Sequence, residues 1–492
     1  MKILTLNPPF FKNYSRQSRS PCVAKSGTIY YSYYLAYATG ALEQNGFDVT
    51  LYDSIAFDSD REQTLNDIRE INPDLIITDS STPSIINDVN FAMEIKKKLP
   101  NCHINMVGTF PSKAGYEEIQ AINPDPIDSI CRGEYEITAV KLANALKKQN
   151  SLSSVDGLSY KENGNIIKNT NAILPTTDTL DSLPFVTSVY KKHFGKKGIN
   201  KHFYASITWP YVHILTARGC PYSCSFCNIP SIASYRTRSI ENVVNEFKYI
   251  QEELPYVNEI FIEDDTFPVN KNRTLELCER LIDEKVKIRW SCNARVDTNP
   301  DVLGTMRKAG ARLLCVGFES PNKSALDGVI KKTNKNKQEE FMNSCNKHDL
   351  KVNGCFIIGL PGDNDIKIDQ TIDFAKKLMP NTAQFYPHML YPGTGSFKWA
   401  EENGYLRTKD WSKWLTKDGM HNTPLELPDL PPERLLMWTN LARRRFYFNY
   451  KYIFKMLVQA IRYPKEGIRM FISGKTFFKH LFRYLFRLKE RS

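Results

Sequence analysis

Short apolar runs alternate with helix-length amphipathic stretches over the first 150 residues of the chain. Each run is four or five residues long and rich in Ile, Leu and Val, as in strands that are buried on both faces of a parallel sheet. The alternation predicts an α/β fold, a doubly wound, Rossmann-like parallel sheet with helices on its faces. The predicted strands are Lys2–Leu6, Val49–Tyr52, Asp74–Ile77, His103–Val107 and Asp128–Cys131, and the predicted helices lie around 33–45, 61–71, 87–99, 113–121 and 136–148.

The predicted strands end in turns of small or polar residues. Open α/β sheets bind ligands at this carboxyl edge, so we expect a ligand site there. The chain has no Gly-x-Gly-x-x-Gly, and a dinucleotide site is therefore not supported. The turns are Asn7-Pro-Pro, Asp79-Ser-Ser-Thr82, Gly108-Thr109 and Arg132-Gly-Glu134.

A second alternating region follows a predicted β-hairpin around 155–170 and a linker over 171–203. Its six strand and helix repeats predict six β/α units. We divide the chain into 1–150, 151–204 (hairpin and linker), 205–400 and a helical region at 401–492. The second set of predicted strands is His213–Ala217, Glu259–Glu263, Ile288–Asn293, Leu313–Phe318, Val352–Ile358 and Gln384–Met389, with helices such as Ile240–Glu253 and Arg273–Glu284 between them.

Three Cys residues lie in one predicted loop after the first strand of the second region, in the sequence Cys220-Pro-Tyr-Ser-Cys224-Ser-Phe-Cys227. Thiolates in such a loop bind soft metals or iron–sulfur clusters. Structural zinc takes four ligands, usually in two separated pairs, whereas this loop offers three. Three Cys ligands on a [4Fe-4S] cluster leave one iron open for a substrate or cofactor. The other eight Cys are scattered, so we expect no second cluster.

The C-x₃-C-x₂-C spacing, with Phe226 before the last Cys, resembles the radical S-adenosylmethionine (radical SAM) superfamily. The resemblance implies that Cys220, Cys224 and Cys227 hold a [4Fe-4S] cluster whose open iron binds SAM. It also implies reductive cleavage of SAM to a 5′-deoxyadenosyl radical, fed by an electron donor such as ferredoxin or flavodoxin. The six β/α units match the partial (β/α)₆ barrel of this family, which carries its chemistry at the strand ends. A structural metal site or free thiols are the alternatives.

Further SAM contacts are expected at the strand ends that follow. The resemblance places Phe226 near the adenine, and Asp264 and Asp265 where the SAM ammonium binds. Arg295 offers a planar fork for a carboxylate. The alternative roles are a packed ring for Phe226, turn or capping residues for the two acids, and a surface ion pair for Arg295. The other expected contacts are Glu319, Ser320, Gly359 and Pro361.

A sheet of this size ahead of a radical SAM barrel resembles the cobalamin-binding domain of the B12-dependent radical SAM subfamily. This branch includes anaerobic Mg-protoporphyrin ester cyclases, hopanoid-associated proteins and methyltransferases. The likeness extends to about residue 420 and is carried by Arg132-Gly-Glu-Tyr-Glu136, Asp181-Ser-Leu-Pro184 and Asp264-Asp-Thr-Phe267. The expected cobalamin-binding residues are Asn7, Thr82, Gly108, Thr109, Gly133 and Glu134.

A D-x-H-x-x-G motif, whose His binds cobalt in many B12 proteins, is absent, because none of the eight His has an Asp two residues before it. The subfamily often lacks this motif as well. A Rossmann-like domain that binds no cobalamin is therefore the alternative for the first region.

The positive charge of the chain is concentrated at its C-terminus. Residues 441–492 carry fourteen Lys and Arg against two Glu, which equals the net charge of +12 for the whole chain. Aromatic and aliphatic residues recur among these charges at helical spacing. The pattern favours contact with an anionic membrane surface. A helical cap over the barrel is an alternative, and nucleic acid is the least favoured partner.

Two features predict a cytoplasmic protein. The N-terminus has no apolar core of signal-peptide length, and no apolar run is long enough to span a membrane. Eleven Cys in a long chain, three of them clustered, suit a reducing compartment. We expect the protein to lie in the cytoplasm, in peripheral contact with the inner face of the membrane.

The sequence therefore predicts a radical SAM enzyme that functionalises an unactivated carbon. We favour cobalamin-dependent methylation of an apolar or lipid-like small molecule. Radical cyclisation, ring modification or C–C coupling without methyl transfer is the alternative within enzymes. A non-catalytic iron–sulfur electron-transfer or scaffold protein is the alternative from another class.

Overall fold

The computed structural model of the chain describes residues 1–229, 234–464 and 466–475. Two parallel sheets follow each other along the chain, each with helices packed on it, and helices close the described C-terminal part. This arrangement confirms the predicted Rossmann-like sheet, partial barrel and helical C-terminal region.

The first sheet has seven strands in the order β4-β1-β5-β6-β7-β8-β9. Strands β4, β1, β5, β6 and β7 are parallel, and all five correspond to predicted strands. Every residue of β5 is buried, as expected for a strand covered on both faces. The strands are β1 (Lys2–Asn7), β2 (Tyr14–Ser15), β3 (Cys22–Val23), β4 (Asp48–Asp53), β5 (Leu75–Ser80), β6 (His103–Gly108), β7 (Ser129–Cys131), β8 (Leu158–Glu162) and β9 (Asn165–Lys168).

Amphipathic helices cover the first sheet. A buried polar bond joins α1 to β1, where the hydroxyl oxygens of Thr5 and Thr39 lie 2.6 Å apart. Short 3₁₀ turns lie at Thr82–Ser84 and Leu152–Ser154. The helices are α1 (Tyr33–Gln44), α2 (Arg61–Ile71), α3 (Ile85–Lys98), α4 (Thr109–Ala114), α5 (Tyr116–Ile122) and α6 (Glu136–Lys147).

The predicted hairpin is β8 and β9, joined at Asn163 and Gly164, which both have positive φ as a tight hairpin turn requires. We placed this hairpin in a separate region at 151–204, whereas β8 pairs antiparallel with β7 and extends the first sheet. Backbone groups at the edge of β7 need partners, and β8 supplies them. The expected linker at 171–203 contains three helices, α7 (Thr177–Ser182), α8 (Val186–His193) and α9 (Gly195–Ile199).

The second sheet is parallel throughout, in the order β10-β13-β14-β15-β16-β17. These strands are the six that the sequence predicts. A separate pair, β11 and β12, lies beside the first strand end. The strands are β10 (Tyr211–Ile214), β11 (Ala217–Arg218), β12 (Arg236–Thr237), β13 (Glu259–Ile262), β14 (Arg289–Arg295), β15 (Ala311–Glu319), β16 (Lys351–Ile358) and β17 (Thr382–Pro387).

Helices follow the barrel strands in turn. Most begin with an Asn, Ser or Thr side chain that accepts a hydrogen bond from the first turn, as Ser239 does from the backbone N–H of Asn242. A 3₁₀ turn at Phe267–Val269 precedes α11. The helices are α10 (Ile240–Glu253), α11 (Lys271–Asp283), α12 (Asp301–Lys308), α13 (Lys323–Gly328), α14 (Lys335–Lys347), α15 (Asp365–Leu378) and α16 (Gly395–Glu402).

The barrel is open between its edge strands, β10 and β17, and two segments lie across the opening. Tyr31, from the first region, donates its hydroxyl hydrogen to the carbonyl of Tyr211 in β10 at 2.8 Å. Ser206 reaches Thr382 of β17, with 3.3 Å between the hydroxyl oxygens. The first region therefore contributes to the wall of the barrel.

Two helices of the C-terminal region, α17 (Pro432–Tyr447) and α18 (Tyr450–Arg462), pack in different ways. Helix α17 covers β17, buries Leu435 and Phe446, and pairs its Arg445 with carboxylates of α15. It is therefore a cap over the barrel, as one alternative for this region predicted. Helix α18 buries only Tyr452 among its residues.

The remaining part of the basic region, residues 476–492, lies outside the described residues. In the part of the chain that the structure describes, no helix combines the length and the apolar character needed to cross a membrane.

Candidate functional site

The three Cys of the predicted cluster loop lie together at the carboxyl end of the first barrel strand. Cys220, Cys224 and Cys227 are partly exposed, with free thiols. The backbone N–H of Ser225 donates to the carbonyl of Val329 at 3.1 Å, which fixes the loop to the barrel. Across residues 1–229, 234–464 and 466–475, no three His, Cys, Asp or Glu side chains converge on a single ion. The loop thus presents the donor chemistry of an iron–sulfur site on one strand end.

Asp265 lies beside this loop and pairs with Arg19 of the first region. Arg19 Nη2 is 3.5 Å from Asp265 Oδ1, and Arg19 Nη1 donates to the Asp265 carbonyl at 3.2 Å. Both charges act on the thiol of Cys227, so the three side chains are neighbours. Burial raises the pKa of Asp265, and the neighbouring Arg19 guanidinium acts in the opposite direction. The protonation of this carboxyl therefore depends on nearby cations.

The preceding acid, Asp264, is used differently. Its carboxylate accepts hydrogen bonds from the backbone N–H of Thr216 at 2.6 Å and from the Thr216 hydroxyl at 2.5 Å. Burial raises its pKa to about 6. Asp264 therefore holds the end of β10 against β13, directly before the Cys loop.

Glu263, the residue before these two acids, is buried and points toward the barrel interior. Its Oε2 atom has no hydrogen-bond partner among the described residues, and Arg19 Nε lies 3.7 Å from its Oε1. Burial raises the pKa of Glu263 to about 8. A buried carboxyl with a raised pKa and one oxygen atom that accepts no hydrogen bond is a candidate for proton transfer.

Arg295 reaches the Cys loop from the end of β14. Its Nη1 donates to Cys224 Sγ at 3.5 Å, and its guanidinium lies 3.7 Å from the centre of the Tyr222 ring. Asp297 accepts a hydrogen bond from Arg295 Nε at 2.9 Å, which orients the guanidinium group. Arg295 is therefore placed to stabilise a thiolate at Cys224.

Glu319 and Lys331 form a buried pair next to Arg295. Lys331 Nζ donates to Glu319 Oε1 at 2.7 Å. The thiol of Cys224 also acts electrostatically on the Lys331 ammonium group. Glu319 has a positive φ of 61°, an unusual conformation for a residue with a side chain. The adjacent Ser320 turns away and accepts a hydrogen bond from the backbone N–H of Asn322 at 3.1 Å.

The Phe226 ring packs in a small apolar cluster with Val329 and Leu360. Leu360 lies between Gly359 and Pro361, so the ring and the Gly-rich end of β16 are in contact. Gly359 has φ of +91° and donates its N–H to Asp363 at 3.0 Å. The predicted adenine-side residues are therefore brought together by the fold.

The predicted cobalamin-binding residues lie at the carboxyl edge of the first sheet. Gly108 follows β6, and a β-carbon there would lie 2.2 Å from the Ser80 carbonyl oxygen, so only glycine fits. A β-carbon at Gly133 would meet nothing within 4 Å. Thr109 Oγ1 and Tyr135 Oη are buried and lack a hydrogen-bond partner among the described residues. At the carboxyl edge of the first sheet, the open space and the buried polar atoms without a hydrogen-bond partner among the described residues fit a bound ligand.

Some of the expected residues at this edge are engaged in the protein itself. Asn7 donates its side-chain N–H to Asp53 at 2.8 Å and accepts from Arg16. Thr82 is buried at the start of a 3₁₀ turn. Glu134 is held by two arginines of the barrel region, at 3.2 Å from Arg218 Nη1 and at 2.5 Å from Arg236 Nη2.

The carboxyl edges of the two sheets face each other across the Cys loop. Arg218, two residues before Cys220, also pairs with Glu136 at 2.6 Å, so two acids at the start of α6 hold the base of the loop. On the opposite side of the Cys loop, the thiol of Cys227 acts electrostatically on the amine of Lys113 in α4. A ligand at the edge of the first sheet would thus face the cluster loop.

Several residues of this site carry no sequence signal. Arg19, from a loop, and Lys113, from α4, precede the Cys motif by more than a hundred residues, and neither belongs to a recognisable motif. Asp79 belongs to a turn that the sequence analysis predicted. Only the fold shows that its carboxyl is buried, and this burial raises its pKa to about 7. No sequence motif marks Lys331, and its pairing with Glu319 is visible only in the structure.

Residues 214–375 match the radical SAM superfamily. The matched stretch runs from the end of β10 into α15 and contains all three Cys ligands, Asp265 and Arg295. The chain therefore carries a radical SAM domain and is a radical SAM enzyme, as predicted. A [4Fe-4S] cluster and SAM are the cofactors that such a domain requires, which confirms these two predictions.

Within this class the chain is similar to methyltransferases and cyclases. It is 28% identical over 458 residues to an uncharacterized methyltransferase of Pyrococcus horikoshii, a match that covers 92% of this chain and 94% of the relative. It is 26% identical over 465 residues to an anaerobic magnesium-protoporphyrin IX monomethyl ester cyclase of Cereibacter sphaeroides, covering 90% of this chain and 72% of the relative.

The fold is similar to that of TsrM from Kitasatospora setae, a radical SAM methyltransferase solved with cobalamin and a [4Fe-4S] cluster bound. The TM-score is 0.67 at 16% identity, over 83% of this chain and 79% of that chain. At this identity the likeness concerns the fold. It confirms the predicted architecture of a Rossmann-like sheet that precedes a radical SAM barrel.

Proposed function

We propose that the chain methylates an unactivated carbon of an apolar small molecule, with a corrinoid bound at the carboxyl edge of the first sheet. The observation that carries this proposal is the approach of that edge to the Cys loop, with Lys113 beside Cys227 and with Glu134 and Glu136 on Arg218. The similarity to a methyltransferase along nearly the whole chain supports it.

When bound, the cluster and SAM supply a 5′-deoxyadenosyl radical, and the corrinoid supplies a methyl group. The chain's own residues position these groups. Cys220, Cys224 and Cys227 would hold the cluster, and Arg295 donates to one of the thiols. The Phe226 ring and the turn at Gly359 offer an apolar surface for an adenine. A ferredoxin or flavodoxin as electron donor, and a cytoplasmic location, stay predictions.

Isotopic labelling tests the proposed reaction. Anaerobically reconstituted protein, supplied with hydroxocobalamin, reductant and SAM carrying a trideuterated methyl group, should produce S-adenosylhomocysteine together with 5′-deoxyadenosine. Extracts from a deletion strain serve as the substrate source, and the product should gain the three deuterium atoms. A product that loses hydrogen without gaining the label would contradict methyl transfer and would favour the cyclase alternative, which the magnesium-protoporphyrin cyclase relative supports.

The corrinoid site can be tested by filling the open space at Gly133. A Gly133→Phe substitution should lower the corrinoid content of the purified protein about tenfold or more, since each 1.4 kcal/mol of lost affinity is a factor of ten. Corrinoid is measured by its visible absorbance after growth with hydroxocobalamin. The matched control is Gly164→Phe, at a hairpin turn with the same positive φ and equally open space.

Both substitutions introduce left-handed strain of about 1–2 kcal/mol, so a general loss of stability affects both alike. Equal corrinoid content in the two variants would contradict the assignment of Gly133 to the site. A protein free of corrinoid in every form would contradict the methyl-transfer proposal itself.

We further propose that α18 places the enzyme on an anionic membrane surface. Phe454, Val458 and Ile461 form one stripe along the helix, and the side chains of Phe454 and Ile461 are 70% and 82% exposed. Lys451 and Arg462 lie on the same helix, and both are exposed. Exposed apolar residues among Lys and Arg suit the boundary between headgroups and acyl chains.

Replacing Phe454 and Ile461 together by Glu should lower binding to anionic vesicles at low salt by about tenfold or more, because two apolar insertions are lost and two like charges are added. Sedimentation with phosphatidylglycerol vesicles measures the bound fraction. The matched control, Ile173→Glu with Ile366→Glu, changes two equally exposed Ile residues elsewhere. SAM cleavage should persist in both variants, and equal vesicle binding would contradict the membrane proposal.

A further inference from the structure

A cavity of about 1300 Å³ lies between β17, the segment that follows β2, and the C-terminal helices. Its wall is mostly apolar and aromatic. Tyr30 and Tyr204 lie on one side, Phe385 and Tyr386 on the barrel side, and Met437 of α17 on another. A volume of this size can hold a molecule larger than an amino acid, with most of its surface buried.

The cavity adjoins the proposed reaction centre. Ser18 and Ser20 line it, and Arg19 between them donates to the backbone carbonyls of Asp264 and Asp265. Burial and the nearby carboxyl of Glu263 raise the pKa of Tyr30, which also lies in the wall. A molecule in the cavity could therefore reach the strand end that lies beside the Cys loop.

Two of the basic side chains in this wall share one acceptor. The charged residues that line the cavity are Lys25, Lys417, Asp418, Glu433, Arg443 and Arg469. Lys25 Nζ donates to Asn440 Oδ1 at 2.6 Å, and Arg443 Nη1 donates to the same oxygen at 3.1 Å. The amide oxygen of Asn440 thus accepts hydrogen bonds from two basic groups. Lys25 Nζ and Arg443 Nη1 are therefore no further apart than the sum of the two hydrogen-bond lengths. Arg443 also donates, through Nη2, to the backbone carbonyl of Phe385.

The hydrogen bonds of Lys25 and Arg443 go to neutral oxygens, whereas Glu433, also in the wall, pairs with Arg407 at 3.3 Å. The groups that act electrostatically on Lys25 are Arg443 and Cys22, and those that act on Arg443 are Cys22 and two tyrosines. Burial and the neighbouring Arg443 lower the pKa of Lys25 to about 6. His421 faces the same pair, and burial together with these cations lowers its pKa to about 3. Two partly buried basic groups whose hydrogen bonds go to neutral oxygens favour a ligand with a negative charge.

We propose that this cavity binds the substrate, and that the substrate is a large apolar molecule with one anionic group, a carboxylate or a phosphate, held between Lys25 and Arg443. The assignment of the bound molecule as substrate rests on the proposed function, whereas the anion site rests on the cavity and its charges. The apolar body fills the aromatic wall, and the anionic end fixes which carbon faces the cluster loop.

Amphiphiles with one chain and different head groups test the proposal. Anaerobic isothermal titration calorimetry on the full-length protein, below the micelle concentration, compares dodecanoate, dodecyl phosphate and dodecyltrimethylammonium. We expect both anions to bind and the cation to bind at least about tenfold more weakly, as one lost charged hydrogen bond of 1.5–3 kcal/mol implies. The tighter of the two anions identifies the head group. Equal binding of the cation would overturn the proposal.

Lys25→Met and Arg443→Met should each weaken dodecanoate binding about ten- to hundredfold. The matched control is Arg444→Met, the exposed neighbour of Arg443 on α17, which should leave binding unchanged. Unchanged binding in both cavity variants would overturn the anion site.

Stability separates a ligand role from a structural one. Without ligand, Lys25→Met should raise the melting temperature by about 1–3 °C, because folding lowers the pKa of the Lys25 amine to about 6 and this shift costs stability at neutral pH. A structural role predicts a lower melting temperature together with unchanged dodecanoate affinity, which would overturn the proposal. Since neither measurement needs the cluster or SAM, a failure of the methyl-transfer proposal would leave these results intact.

Discussion

Replacing Cys220, Cys224 or Cys227 with Ala is expected to abolish SAM cleavage and to remove the cluster. Reconstituted wild-type protein should bind about four iron atoms, since three thiolates anchor a four-iron cluster and leave one iron open. Each variant loses one of three anchors from a loop that supplies all of them. Iron content, the visible absorbance of the cluster and 5′-deoxyadenosine formation under reductant are the measurements.

The control for this experiment is Cys102→Ala. Cys102 is also a free thiol, but it is buried and directly precedes β6, at the opposite edge of the first sheet from the Cys loop. Iron content and SAM cleavage should stay at the wild-type level in this variant. Deoxyadenosine formation that persists when all three loop Cys are replaced would contradict the site.

An Arg218→Met substitution should lower the free energy of unfolding by about 3–5 kcal/mol, because it leaves the buried carboxylate of Glu136 without its cation and removes one of the two arginines that hold Glu134. Arg218, Glu134 and Glu136 are all nearly inaccessible to solvent. The substitution also removes the contact that holds the first sheet against the residues before Cys220. We therefore expect reduced iron content together with a lower midpoint in urea unfolding.

Two further variants make this prediction specific. Arg307→Met removes an ion pair with Asp349 in which the side chains are 44% and 61% exposed, and it should change stability by less than about 1 kcal/mol. Adding Glu136→Gln to Arg218→Met should restore part of the lost stability, since one buried charge is removed. A midpoint for Arg218→Met that equals that of Arg307→Met would show that the contact between the sheets is not stabilising.

The strands were predictable because each is a short, continuous apolar run, which a parallel sheet buried on both faces requires. The hairpin of β8 and β9 was also predictable, since Asn163 and Gly164 favour a tight turn. Its place at the edge of the first sheet was not, because pairing with β7 depends on a free strand edge and not on the hairpin's own residues. The boundary that we drew at residue 150 therefore cuts through the sheet.

The two basic helices show the same limit. Both α17 and α18 combine Arg or Lys with aromatic residues, and composition alone favours a membrane contact for each. In α17, Arg445 meets carboxylates of α15 and the apolar face meets β17, whereas the Phe454 face of α18 meets no such partner among the described residues. Packing partners, which are distant in sequence, decide between a cap and an exposed surface.

The amino-acid sequence by itself determined the order of the two sheets and predicted the three candidate cluster ligands and the strand ends at which the site is expected. It could do so because the three Cys lie within eight residues and the strands follow a local pattern. Only the tertiary structure decided which residues surround the cluster loop. Arg19 reaches Asp265 across 246 positions of sequence, and Lys25 meets Asn440 across 415. Such contacts depend on how the two regions pack together, and no local pattern in the chain encodes that packing.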